Sequence, residues 1–346
     1  MSRRAVHTMH LCLSTWFFML HFCVGICAAG TDSLDIALVL WRGVTEAERG
    51  FMDCLKENRV PVRFSVFDCK KNIENLVTFR KKLKKNPPHL IYTFGTTVTT
   101  NFVGRYNHHP SHVYITDIPV VFAVVADPEG AEIIAEGDSL SRRNVTGVSH
   151  IVPIISQLKA IRSVLPIQSI GVLYNPKEKN AVLQIQNLTR LSISEKYEVY
   201  IEALEVTKAG IVSIRSLEQS IARLLSIRPD IVYLPSDSYL ISIADTIVKR
   251  FHSAGIPTFS ATEGPIRDGG AYMGLVSRYY MVGKFAGYKA QQILMHKRNP
   301  GTIPVERLKK FSFLINIDAA HSLDIYPPVP VLRFAEVVST RVNPVK

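Results

Sequence analysis

The sequence predicts an α/β protein of two lobes, each a mostly parallel sheet with helices on both faces, and three observations carry that prediction. Strand-like and helix-like segments alternate at short spacing through the first half of the chain, and the alternation repeats through the second. At the centre, Val120 to Val125 is an unbroken run of β-branched and aromatic residues with one alanine, too short for a core helix and apolar at every position, as expected of a strand buried on both faces. The 346 residues, 47% hydrophobic and 20% charged, are enough for more than one core.

In chain order, Ile36 to Leu40 reads as a buried strand. Thr45 and Glu48 have capping-box spacing, which starts a helix running to about Lys56. Val62 to Phe67 alternates as a strand, Ile73 to Lys84 is an amphipathic helix, and His89 to Phe94 is a third strand leading through Gly95, Thr96 and Thr97 into another helix. After the Val120 strand, Asp127 and Pro128 end the run, and Asn144 to Val148 is a second extended segment. The later half repeats the pattern without repeating the residues. Strands are expected at 170–174, 197–204, 231–234 and 256–259. Helices are expected from about 177 to 194, over 214–225 and over 241–254. Ala271 to Val276, a helix from Val282 to Met295, and Phe311 to Ile315 complete the series.

Residues 1–30 stand apart. Arg3 and Arg4 precede an almost continuous apolar run from Leu11 to Ile26, and Ala28, Ala29 and Gly30 offer the small side chains of a cleavage site. An export signal is expected there, with an uncleaved anchor, a lipoprotein signal and a twin-arginine signal as alternatives. Cys54 and Cys69 would then remain in the mature chain, either paired or as two buried thiols. No clustered ligands suggest a metal, and no cofactor is expected. The formal charge of +12 is spread along helix faces such as Arg80 to Lys85, without interleaved aromatics, so a solvated surface is expected and a nucleic-acid partner is not. Asn144 opens an N-V-T glycosylation pattern, read here as crossing backbone with Gly147 supplying freedom.

The ordered segments VFAVVADPEGA, NVTGVS, IGVLYNPKEKN, DIVYLPSDSYL, IPTFSATEG, GGAYMGLVSRYYMVGKFAG and LINIDAAHSLDI resemble the solute-binding proteins of ABC importers, some of which bind aromatic amino acids. The resemblance implies the type I two-lobed periplasmic binding fold with a hinge of three crossings. One lobe would comprise 31–149 with about 277–310, the other 150–276 with about 311–346. It also implies a small-molecule solute, a membrane permease as partner, a monomer, and an extracytoplasmic location.

In open α/β sheets, ligands sit outside the carboxyl ends of the strands. Two such edges facing one another gather Trp41 and Arg42 after the first strand, Gly95, Thr96 and Thr97 after the third, and Asp127 after the fourth. The opposite wall offers Ser236, Asp237 and Ser238, then Glu263. Thr96 and Thr97 open a helix whose free N–H groups suit a carboxylate, or they simply cap it. Arg42 can clamp the same carboxylate or remain a solvated cation. Asp237 is the expected acceptor of a ligand ammonium, with a helix N-cap as the alternative. Asp127 and Glu263 either contact ligand or brace turns. Trp41 and Tyr279 either stack on an apolar ligand or pack internally. The loop LWRGVTEAERG departs from the aromatic-amino-acid binders of the family, which leaves the solute open, and Arg42 within it favours an anionic group. Phosphate-loop, nucleophile-elbow and zinc-protease motifs are lacking, so an exported enzyme is the weaker expectation. A sensor presenting its closed form to a receptor would use the same site as an importer.

Overall fold

In a computed structural model of the chain, residues 33–207 and 212–340 are described; the expected export signal lies outside them. The first half contains β1 (Leu34–Leu40), α1 (Glu46–Glu57), β2 (Val62–Asp68), α2 (Ile73–Lys85), β3 (Leu90–Phe94), α3 (Gly95–Val103), β4 (Val120–Val125) and β5 (Val145–Ser149). It continues with α4 (Ile154–Arg162), β6 (Ser169–Tyr174), α5 (Lys179–Glu195), β7 (Glu198–Ala203), α6 (Ile214–Ile227), β8 (Ile231–Leu234), α7 (Ser238–Ser242), α8 (Ala244–His252), β9 (Thr258–Ser260), α9 (Glu263–Arg267) and β10 (Met273–Val276). Then come α10 (Tyr279–Leu294), β11 (Glu306–Arg307), β12 (Ser312–Asn316), α11 (Ile317–Leu323), α12 (Val329–Leu332) and β13 (Glu336–Val338).

The strands form two sheets. The first has the order β11-β5-β4-β3-β1-β2 and is parallel throughout. The second, β13-β12-β10-β9-β8-β6-β7, is parallel except where β12 runs against β10. The chain therefore passes between sheets three times: after β5, after β10 and between β11 and β12.

Local chemistry accounts for the element ends. Thr45 and Glu48 close a full capping box on α1, and Glu48, buried completely, also accepts from the Tyr92 hydroxyl at 2.7 Å. β3 and β4 are buried at every position, as a strand covered by helices on both faces requires. One expected helix, 241–254, is two in the structure. Asp237 caps a short first helix, and the chain breaks at Ile243 before α8 begins. The short strands β11 and β13 add edges to the sheets with too few residues to show a period. Cys54 and Cys69 are buried free thiols.

After leaving the second sheet, the chain lays α10 along α1 in the first lobe. The two helices meet through glycines: a Cβ on Gly283 would stand 1.8 Å from the Ala47 carbonyl oxygen, and one on Gly50 2.0 Å from that of Tyr280. Backbone on both sides leaves no side chain to yield. Gly283→Ala is expected to destabilise the protein by about 2 kcal/mol, within the range for overpacked cores. A denaturation midpoint equal to the parent's would show that the helices can separate freely.

Candidate functional site

The carboxyl ends of the two sheets face each other across a narrow cavity. Its walls come from the turn after β1 (Trp41, Arg42), the β3–α3 junction (Phe94 to Thr97), Val124 of β4, the start of α5 (Glu178, Asn180), the β8–α7 junction (Ser236, Ser238, Ile241) and Tyr279 at the head of α10. The cavity holds about 40 Å³, space for one or two waters and far below the roughly 300 Å³ at which small-molecule pockets begin. Thr96 Oγ1 donates to Asn180 Oδ1 at 2.8 Å, joining α3 of the first lobe to α5 of the second. The cleft is thus drawn shut. Larger grooves continue it outward: one of about 340 Å³ past Thr97, Glu178 and Asn180, and one of about 540 Å³ past Arg42, Ile241 and Tyr279.

Backbone geometry shapes the first-lobe wall. Gly95 begins α3 at φ +79°, where an L side chain is strained, and the N-cap Phe94 supplies no side-chain hydrogen bond. The leading N–H groups of a nine-residue helix therefore point to the cleft without a capping side chain. Beside them Val124 is held at φ +59°, where the β4–β5 register slips between Ala123 and Val125. A β-branched residue held in a left-handed conformation costs about 1–3 kcal/mol, and such strain concentrates at ligand sites.

Charge is unevenly placed. Arg42, half-buried, forms no ion pair among the described residues. Across the cavity, Glu178 has its carboxyl raised to about 7, first by burial and then by the neighbouring Asp237 charge; hydrogen bonds from Ser238 and the charge of Arg42 act in the opposite direction. Under the cleft, burial lowers His150 to about 4, so its imidazole is neutral. Its Nε2 faces Ser236 Oγ at 3.3 Å, while Nδ1 is buried without a partner. Tyr279 packs edge-on against both His150 and Phe94, with ring centroids 5.7 and 6.4 Å away.

Of the residues expected at the site, Trp41, Arg42, Gly95, Thr96, Thr97, Ser236 and Tyr279 line this one cavity. Three are placed elsewhere. Asp237 is wholly buried behind the wall, where Oδ2 accepts from Asn175 N–H at 2.7 Å and Oδ1 from Tyr239 and Leu240 N–H at 3.0 and 3.1 Å. It is the N-cap of α7, which occupies the carboxylate that a ligand ammonium was expected to use. Asp127 caps its own turn through Gly130 N–H and lines a separate groove of about 990 Å³ beside the crossings. Glu263 belongs to a closed ring of charges in which Arg267 and Arg278 each bridge Glu263 and Glu336, at 2.5–2.9 Å, and its outer face borders the groove past Arg42. Ser238, expected on this wall, lines the cavity as well, and Phe94, Val124, Glu178, Asn180 and Ile241 line it without having been singled out. Glu178 and Asn180 stand in NPKEKN, which reads as a strand-ending turn; their position at the end of β6, facing the other lobe, is the signal that could have found them.

Residues 36–339 match the family described as ABC transporter substrate binding protein. Among curated proteins, the tyrosine-binding protein of Clostridioides difficile (strain R20291) is 25% identical over 294 residues, covering 83% of this chain and 79% of its own. Two solved structures share the fold. A conserved domain protein of Vibrio cholerae superposes with a TM-score of 0.76 at 22% identity, over 89% of this chain and all of that one. An ABC domain of Streptococcus pneumoniae in complex with L-Trp superposes at 0.73 and 22% identity, over 88% and 99%. A solute-binding protein of Agrobacterium vitis with bound allitol, at 0.55 and 12% identity over 84% and 97%, extends the likeness to the wider type I periplasmic binding architecture.

Proposed function

We infer, from the premise that this chain belongs to the ABC transporter substrate binding protein family, that it captures an amino acid or closely related carboxylate outside the cytoplasm and delivers it to a membrane permease for import. The observation that carries this reading is the unpaired Arg42 beside the uncapped N-terminus of α3, which together present a positive, hydrogen-bond-donating corner inside the lobe–lobe cleft. Trp41, Phe94 and Tyr279 border the same space and suit an aromatic or apolar side chain. A tyrosine-binding relative and a structural neighbour that holds L-Trp support the aromatic amino acids as first candidates.

The volume of the cleft gives the mechanism its second part. About 40 Å³ cannot hold an amino acid, so the solute enters with the lobes apart, and closure follows around it. The three crossings form the hinge. The solute shifts the open–closed balance by its greater affinity for the closed form and no further. The permease would then read the closed shape.

A thermal-shift screen of the protein, refolded to strip carried-over solute, tests the reading against amino acids, sugars and nucleosides. A ligand at 100 times its dissociation constant adds about 2.7 kcal/mol of stability. Tyrosine or tryptophan is expected to give that shift. A response to sugars or nucleosides alone would leave the fold intact and overturn the carboxylate chemistry.

A further inference from the structure

We propose that Glu178, not Asp237, receives the ammonium group of the solute and so makes this cleft select zwitterionic amino acids over simple carboxylates. The proposal rests on the carboxylate-binding reading above and adds the second charge. Three observations carry it. Glu178 lines the cavity, while Asp237 lies behind the wall with its oxygens committed to three backbone N–H groups. Although Glu178 occupies the N-cap position of α5, its side chain makes no capping bond to that helix, and it forms no ion pair among the described residues. Finally, it stands on the second-lobe wall of a cavity whose first-lobe wall carries the unpaired Arg42. A cation on one side and an anion on the other, neither in an ion pair among the described residues, match a zwitterion lying across the gap.

Asp237, at the base of α7, repels a negative Glu178, and Arg42, from the turn after β1, favours it. Lys177 and Lys179 flank it in sequence and line the outer groove of about 340 Å³. Ser238, on the same wall, favours its ionised form. A solute ammonium would give Glu178 the ion-pair partner that it lacks among the described residues. Its arrival favours the ionised carboxylate, and the displaced proton passes to solvent.

With Glu178 titrating near 7 in the ligand-free protein, the carboxylic acid form predominates below that pH and must ionise before an ammonium can pair with it. Amino-acid affinity is therefore expected to fall as pH drops below about 7, approaching tenfold per unit, with about one proton released per solute bound near pH 6. A carboxylate without an amine should show neither effect.

The test compares L-tyrosine and L-tryptophan with hydroxyphenylpropanoate and indolepropanoate, by calorimetry in buffers of differing ionisation enthalpy, on the parent protein and on Glu178→Gln. The parent is expected to prefer the amino acids and to release a proton on binding them. Glu178→Gln should lose that preference, by roughly 30-fold or more for a desolvated charge pair, and lose the pH dependence. The parent's proton release needs no variant, so a poorly folded substitution leaves the question answerable. Amino-acid binding without proton release, or a variant that keeps the preference, overturns the role of Glu178. Equal binding of propanoates and amino acids by the parent overturns it too while sparing the carboxylate corner. Binding of neither class overturns both.

Discussion

Arg42→Ala is expected to weaken binding of the cognate carboxylate by roughly 30-fold or more, the range measured when one partner of a desolvated charge pair is removed. The ligand-free protein should unfold within about 1 °C of the parent, because Arg42 forms no ion pair among the described residues and surface changes away from packed features rarely exceed about 0.5 kcal/mol. This separation of binding from stability distinguishes a ligand clamp from a structural cation. Gly43, at φ +64°, turns the chain directly after Arg42 and fixes where the guanidinium enters the cleft. Arg42→Lys should recover part of the loss, since it restores the charge without the planar fork that grips a carboxylate through two bonds. Titration calorimetry on the three proteins checks the order parent, lysine, alanine. Equal dissociation constants for parent and alanine would move the carboxylate corner wholly onto the N–H groups of α3.

Much of the frame was legible because its determinants are local. The capping box at Thr45 and Glu48 lies within one helical turn, and the apolar run of β4 needs only six consecutive residues. The cavity wall was legible for the same reason at Trp41, Arg42 and Gly95 to Thr97, which simply follow the ends of strands. What the sequence concealed depends on partners far along the chain. Glu263 looks like a free carboxylate after β9, yet Glu336, more than seventy residues on, completes the charge ring that holds it. Val124 carries a backbone angle usually reserved for glycine or asparagine, and a valine gives no sign of it. The slip in register between β4 and β5 that produces this angle is a property of two strands together. Glu178 was hidden by its setting in a turn sequence, where lysines on either side suggest a solvated surface; only the approach of the other lobe turns it inward.

Asp237 shows most clearly how one residue type serves two incompatible readings, and its substitution is the second large effect. An aspartate between two serines after a buried strand is what an ammonium acceptor requires, and equally what a helix N-cap requires. The deciding partner is Asn175 N–H, 62 positions earlier, which reaches Oδ2 from the end of β6 while Tyr239 and Leu240 N–H hold Oδ1. Asp237→Ala removes both acceptor oxygens and orphans all three donors at once. With each orphaned buried donor costing about 1–3 kcal/mol and some water entering to relieve it, a loss of about 3 kcal/mol is expected, or roughly 4–5 °C in thermal midpoint for a chain of this size. The loss should depend on pH in a definite direction. Burial raises the folded carboxyl from 3.8 to about 6, so the fold favours its protonated form. Its contribution is therefore greatest below about 4 and declines as pH rises through about 6. The gap between parent and Asp237→Ala should accordingly be widest near pH 4 and narrow toward neutrality. A midpoint unchanged at both pH values would show that water replaces the carboxylate without cost and would return Asp237 to the cleft as a candidate ligand group. A midpoint lowered as expected, in a variant that still prefers amino acids over their des-amino counterparts, would fix Asp237 as the brace behind the wall and leave the ammonium to Glu178.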